Sequence, residues 1–132
     1  MSTEQNVQTV QRIYEAFGRG DVPAILDNVD ENATWVNPYG ISKFPGQWGK
    51  PSKGHAEITE FFKTINEYLE PRSFNPYQFI SQGDKVVALI NWAGVVRHNN
   101  HPYKATLVHV WTLRDGKVVD YLGLDDPTVY SL

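Results

Sequence analysis

The stretch from Tyr103 to Leu113 alternates so that Tyr103, Ala105, Leu107, His109, Trp111 and Leu113 share one face, with Lys104, Thr106, Val108, Val110 and Thr112 on the other. His109 therefore falls between Leu107 and Trp111 on the apolar face of a strand. An imidazole in that position needs a partner, a ligand or a cavity, because an unsatisfied buried polar group costs about 1 to 3 kcal/mol. The chemistry open to it is proton transfer, or a hydrogen bond to a developing oxyanion. An inward carboxylate nearby would form a coupled pair with it, raising the imidazole pKa and keeping the acid ionised.

Whether such a carboxylate is present turns on the hairpin at Arg114 to Lys117. If Asp115-Gly116 alone makes a two-residue turn, Arg114 pairs with Lys117, and His109 shares its face with Leu122 and Leu124. If Arg114-Asp115-Gly116 form a three-residue loop, Leu113 pairs with Lys117. His109 then shares its face with Val119, Tyr121, Gly123 and Asp125.

The elements that must carry these residues can be read from period and punctuation. From Thr3, the residues Val7, Val10, Ile13 or Tyr14, and Phe17 recur at helical spacing until Gly18 and Gly20. Asp21 is placed to cap a second helix with Pro23 in its first turn. Ala33 to Asn37 reads as a short strand closed by Pro38, followed by a long connection from Tyr39 to Lys53 rich in Gly, Pro and aromatics. Tyr39, Phe44 and Trp48 there pack on their own domain, or form a lid. A third helix spans Gly54 to Leu69. Strands then follow at Ser73 to Gln82, Lys85 to His98, Pro102 to Arg114 and Lys117 to Asp125, divided by Gly83-Asp84, Asn99-Asn100 and Asp115-Gly116 turns. Helices first and an antiparallel meander after define an α+β class, with one sheet face covered by helices.

A chain of 132 residues without repeat, linker or low-complexity tract is expected to form one domain over 1–132. Its 12 Lys and Arg against 15 Asp and Glu, with no basic cluster, argue against nucleic acid or an anionic membrane as partner. No cysteine is present, which excludes disulfides, thiolate metal sites and cysteine nucleophiles. No apolar run approaches a membrane span, so a cytoplasmic protein is expected. His98 and His101 lie at a hairpin tip with no third ligand in view, and no metal is expected. His55 reads as a surface or pocket-rim residue.

The order of elements and several phrases resemble the nuclear-transport-factor-2-like superfamily, in its SnoaL-like and ketosteroid-isomerase-like branch. The phrases are Tyr14-Glu15-Ala16-Phe17 with Arg19-Gly20-Asp21, Ala33-Thr34-Trp35 ending at Asn37-Pro38, Gly54 with Ile58, Phe61 and Phe62, Gln82-Gly83-Asp84 with Val86-Val87, and His109 through Val119. The resemblance implies a cone of three N-terminal helices packed on a strongly curved antiparallel sheet that encloses one pocket. It also implies a homodimer, and chemistry without a cofactor. The β-branched outer face of the His109 strand fits a dimer through the sheet. In ketosteroid isomerases an aspartate before the proline moves the proton, while a tyrosine and a protonated aspartate bind the oxyanion. Here those positions hold Asn37, Ile13 and His109, with Tyr14 one residue along and about 100° round the helix. Asn37 cannot accept a proton, so classical steroid isomerisation is disfavoured.

The resemblance favours the three-residue loop, which puts Tyr121, Gly123 and Asp125 on the pocket side. The family often ends this strand with a carboxylate, for which Asp126 is the nearest aligned residue, whereas geometry ranks Asp125 first. The expected site is thus catalytic His109 and Asp125, with Asn37, Tyr14, Trp35, Trp111 and Tyr121 holding a small apolar or aromatic, carbonyl-bearing ligand. The expected activity is an isomerase, cyclase or dehydratase. The alternatives are a binding protein without turnover and a subunit that docks through its sheet.

Overall fold

Ser2 opens the first helix with a reciprocal cap: its hydroxyl accepts from the Gln5 backbone N–H, and the Gln5 side chain accepts from the Ser2 backbone. Such a capping box is worth about 1 kcal/mol. In the computed structural model, which describes residues 2–132, this helix, α1, spans Thr3–Gly18 and buries Val10, Ile13 and Tyr14. Asp21 caps the short α2, Val22–Leu26, by accepting from the Ala24 N–H, with Pro23 in the first turn as expected. Helix α3 runs Gly54–Tyr68 and buries Ile58, Phe61 and Thr64.

The strands are β1 (Val29–Val36), the two-residue β2 (Ser52–Lys53), β3 (Leu69–Gln82), β4 (Lys85–Val96), β5 (Pro102–Arg114) and β6 (Lys117–Leu124). They form one open six-stranded sheet in the order β2-β1-β6-β5-β4-β3. Strands β3 to β6 make the antiparallel meander read from the sequence. The sheet as a whole is mixed rather than antiparallel, because β1 pairs parallel with β6. That long-range pairing also lengthens β1, which begins at Val29 rather than Ala33. β3 starts at Leu69, before Pro71, and bulges at Pro71/Ser73 and at Pro76/Gln78 absorb the residues that cannot donate to the ladder. The three helices cover one face of this sheet, and the core lies between them. No helix among the described residues is long and apolar enough to cross a membrane.

The hairpin that decides the site follows neither expected register completely. Asp115 and Gly116, with φ of 51° and 80°, form a two-residue turn, and Arg114 pairs with Lys117. Two consecutive positive φ values mark the hairpin turn whose twist matches its strands. The three-residue loop favoured by the resemblance is therefore corrected. A bulge then shifts the ladder between Thr112 and Leu113, so that Leu113 pairs with Val118 while Thr112 pairs with Asp120. Val119 is the extra residue. Beyond it Trp111 faces Tyr121 and His109 faces Gly123, which restores the face on which Tyr121 and Gly123 point inward.

Candidate active site

On β5, Leu107, His109 and Trp111 all point into the core, and His109 is 9 % exposed. Tyr14 on α1 meets it: the Tyr14 hydroxyl lies 2.8 Å from His109 Nδ1 and 2.9 Å from Trp111 Nε1. An indole N–H can only donate, so it binds the phenol oxygen, and the phenol's own proton is directed at Nδ1. This arrangement fixes the neutral ring with its proton on Nε2. No protein partner among the described residues takes that Nε2, and His109 lines the cavity. Burial drives the ring well below the ordinary 6.5, to about 3.

A second chain of the same kind stands in the same cavity wall. Trp92 Nε1 on β4 donates at 3.2 Å to the hydroxyl of Tyr130, and that hydroxyl donates to Asp125 Oδ2. Tyr130 belongs to a C-terminal 3₁₀ turn, Pro127–Tyr130, which is capped by Asp126 accepting from Thr128. Asp126 is exposed and serves that cap, while Asp125 lines the cavity. Oδ1 of Asp125 is buried with no hydrogen-bond partner. Burial, offset in part by hydrogen bonds from the Tyr130 hydroxyl and the Asp126 backbone N–H, lifts its pKa from 3.8 to about 6.

The expected His109–Asp125 pair is not formed. His109 bonds to Tyr14 and Asp125 to Tyr130, and no ion pair within 4.0 Å joins the two. Nor is the ring's pKa raised, since without a carboxylate partner desolvation alone acts on it and lowers it. For the same reason the acid is not held fully ionised.

The remaining expected residues all reach the cavity, which measures about 60 Å³. Asn37, 7 % exposed, donates from Nδ2 to the Gly123 carbonyl at 3.3 Å, and its Oδ1 is buried without a partner. Trp35 stacks on Tyr121 with ring centroids 4.3 Å apart, and the Trp35 Nε1 is likewise buried and unpartnered. Trp111 stands edge-on to Trp35 at 5.4 Å. Burial pushes the Tyr14 and Tyr121 hydroxyls upward, so both stay protonated donors at neutral pH. Gly123 is required where it is: a Cβ there would come within 2.3 Å of the Tyr121 hydroxyl and 2.4 Å of Asn37 Nδ2.

Trp48, from the long connection, also lines the cavity. Phe44 and Trp48 are buried and stacked at 4.0 Å, whereas Tyr39 is 62 % exposed. His55 Nε2 meets the Val29 carbonyl at 2.8 Å, tying α3 to β1. His101 pairs with Ser131, and no group of three His, Cys, Asp or Glu among the described residues is placed to hold a metal. Sequence reasoning missed Trp92, Tyr130 and the rings of Phe17, Phe62 and Phe74 around the cavity. Alternation with Ala88 and Ile90 would have turned Trp92 inward, and Phe17 and Phe62 were visible only as helical stripe residues.

A family model described as a SnoaL-like domain matches residues 10–121. An NTF2-like protein of unknown function from Burkholderia pseudomallei superposes with a TM-score of 0.85 at 30 % identity, covering 97 % of this chain and 94 % of that one. The structure of TerC co-crystallized with polyporic acid superposes with a TM-score of 0.83 at 30 % identity, covering 94 % and 93 %. The uncharacterized protein YesE of Bacillus subtilis strain 168 is 25 % identical over 128 residues, 96 % of this chain and 84 % of that protein.

Proposed function

We propose that this chain, which belongs to the SnoaL-like domain family of the NTF2-like superfamily, catalyses proton transfer at carbon on a small, mostly apolar, carbonyl-bearing molecule. The observation that carries this reading is the unpartnered Oδ1 of Asp125, buried in an apolar cavity wall shared with a neutral His109. An acid poised at about 6 is mostly carboxylate at neutral pH yet takes up a proton within one pH unit, which suits a general base that must return the proton it removes. As the carboxylate, Asp125 removes the proton from the carbon next to the ligand carbonyl. His109 Nε2–H donates to the oxygen on which charge develops, and it does so without itself being charged. Asn37 and the Tyr121 hydroxyl orient the ligand, with Trp35 and Trp111 against its plane. Return of the proton to a second carbon completes an isomerisation. Attack of the enolate on another carbonyl gives cyclisation, and loss of a β-hydroxyl gives dehydration.

Compared with the sequence reading, the roles are redistributed. Asp125 moves the proton and His109 binds the oxyanion, with Tyr14 and Tyr130 setting their protonation. The co-crystallisation of TerC with polyporic acid supports an organic ligand for this cavity. A second copy of the chain would cover the outer face of the sheet, where Val87, Val110 and Leu122 lie abreast beside Leu89, Val108 and Leu124, all half-buried. A reading as a binding protein without turnover draws on the Asn37 side chain where the isomerases carry their base.

The test is proton exchange in deuterated water with a panel of cyclic ketones, enones and diketones, followed by NMR. The expected result is deuterium at carbon with the wild type, exchange lowered by about 10² or more with Asp125→Asn, and a strong reduction with His109→Ala. Ligand affinity that changes in these variants, with no exchange in the wild type on any bound member of the panel, would favour the binding protein.

A further inference from the structure

A cavity of about 60 Å³ holds a few waters, too little for an aromatic ligand unless its wall opens. Three of its lining rings, Phe17, Phe62 and Phe74, also line a second and larger hollow of about 680 Å³. This outer groove runs between the α1–α2 turn, α3 and the start of β3. The three rings are half-buried and meet as an aromatic cluster, with Phe17 lying 4.9 Å from Phe74 and 6.0 Å from Phe62. They are therefore a partition made only of side chains, with no backbone to break when they turn.

The chemistry of the two compartments differs. The inner one is apolar apart from the groups assigned above. The outer one is lined by the cations Arg19, Lys63 and Arg72 and by no carboxylate. Each cation has an acid neighbour, Asp21 at 4.0 Å, Glu60 at 3.7 Å and Glu70 at 3.2 Å, but those acids lie outside the groove lining and the pairs are solvent-exposed. Exposed pairs of this kind are weak and yield readily to a better-placed anion. Guanidinium groups in particular match a carboxylate in a bidentate fork.

We infer that the two hollows are one binding site divided by the phenylalanine rings, and that the ligand is amphipathic. Its apolar aromatic body passes Phe17, Phe62 and Phe74 into the inner cavity, and an anionic head, a carboxylate or an equivalent oxyacid, stays in the groove on Arg19, Lys63 and Arg72. This rests on the proposed function for the inner cavity and adds the class of molecule that enters it. It also gives the groove a purpose: the charged end anchors the ligand at the mouth and sets the depth to which the reacting carbonyl can reach.

The experiment compares two dyes that share an apolar body, 8-anilinonaphthalene-1-sulfonate, which carries an anionic head, and N-phenyl-1-naphthylamine, which does not. All four tryptophans line the inner cavity, so energy transfer from indole reports a bound dye, and the blue shift of the dye's own emission reports its entry into the apolar interior. Wild-type protein is expected to bind the sulfonate roughly tenfold more tightly than the neutral dye, with the preference falling as salt is added. Lys63→Glu with Arg72→Glu, both exposed and outside the core, is expected to abolish that preference and leave the neutral dye unaffected. Phe74→Ala is expected to speed association of both dyes. Equal affinity for the two dyes, or a sulfonate affinity indifferent to charge reversal, would overturn the head site while leaving the inner cavity's chemistry standing. Entry of neither dye would overturn this inference, and ketone exchange by the same preparation would show that the inner site survives it.

Discussion

Tyr14 and Tyr130 are placed alike and work on opposite chemistry. Each phenol accepts an indole N–H, from Trp111 in one case and Trp92 in the other, and turns its own proton on a titratable group in the cavity wall. With Tyr14 that group is His109, whose charged form is a cation, and burial lowers it to about 3. With Tyr130 it is Asp125, whose charged form is an anion, and burial raises it to about 6. The same apolar wall therefore drives both groups toward neutrality from opposite sides. The imidazole becomes a fixed hydrogen-bond donor, and the carboxyl becomes a group that can hold or release a proton near pH 6. Two roles arise from one device, because the sign of the charged form differs.

The largest effect expected from breaking this comparison is on Asp125. Asp125→Asn keeps the acceptor for Tyr130 but removes the proton carrier, and should lower exchange by about 10² to 10⁴. The same change should stabilise the fold at pH 7 by roughly 1 to 3 kcal/mol in denaturant melts, since it removes a buried group whose ionisation is unfavourable there. Loss of stability together with activity would mean that the carboxylate serves the fold.

Removing the two phenol oxygens separates the two devices. Tyr14→Phe leaves Trp111 Nε1 and His109 Nδ1 without their partner, and should cost about 2 kcal/mol of stability. Tyr130→Phe removes a bond that favours ionised Asp125. Its carboxyl should therefore titrate above 6, and the acid limb of the activity profile should move to higher pH. An unmoved acid limb would remove Asp125 from the profile.

Smaller, but with opposite signs, are the pH dependences of stability. Because His109 is depressed, its neutral form stabilises the native state above 6.5, and that contribution is lost as pH falls toward 3. Asp125 is raised, so its contribution is present below 3.8 and is lost as pH rises through about 6. Between about 4 and 6 the two slopes oppose one another. Melting curves should therefore show stability falling with acid in Asp125→Asn, and falling with alkali over that window in His109→Gln. Parallel curves would mean that the two groups do not titrate as placed here.

Much of this architecture is legible in the chain. Gly83-Asp84 and Asp115-Gly116 mark turns with a definite backbone requirement, and strict alternation by itself turns His109, Trp111 and Trp35 inward. The rest depends on distant segments. The bulge at Val119 carries no glycine to announce it, yet it decides that Tyr121 and Gly123 face the cavity. The parallel pairing of β1 with β6 joins Trp35 to Tyr121 across most of the chain. Tyr130 sits in a short tail without periodicity, so nothing local shows that it claims Asp125 from His109. The fold follows largely from local rules, whereas the partners of its two titratable groups follow from tertiary packing.

The most direct measurement is an NMR titration that follows the His109 ring nitrogens and the Asp125 carboxyl carbon in one sample, assigned with His109→Gln and Asp125→Asn. The prediction is a neutral ring protonated at Nε2 from about pH 8 down to about 4, while the carboxyl titrates near 6. A ring that becomes imidazolium near 6.5 beside a carboxylate ionised throughout would contradict it, and would restore the coupled pair that the sequence alone suggested.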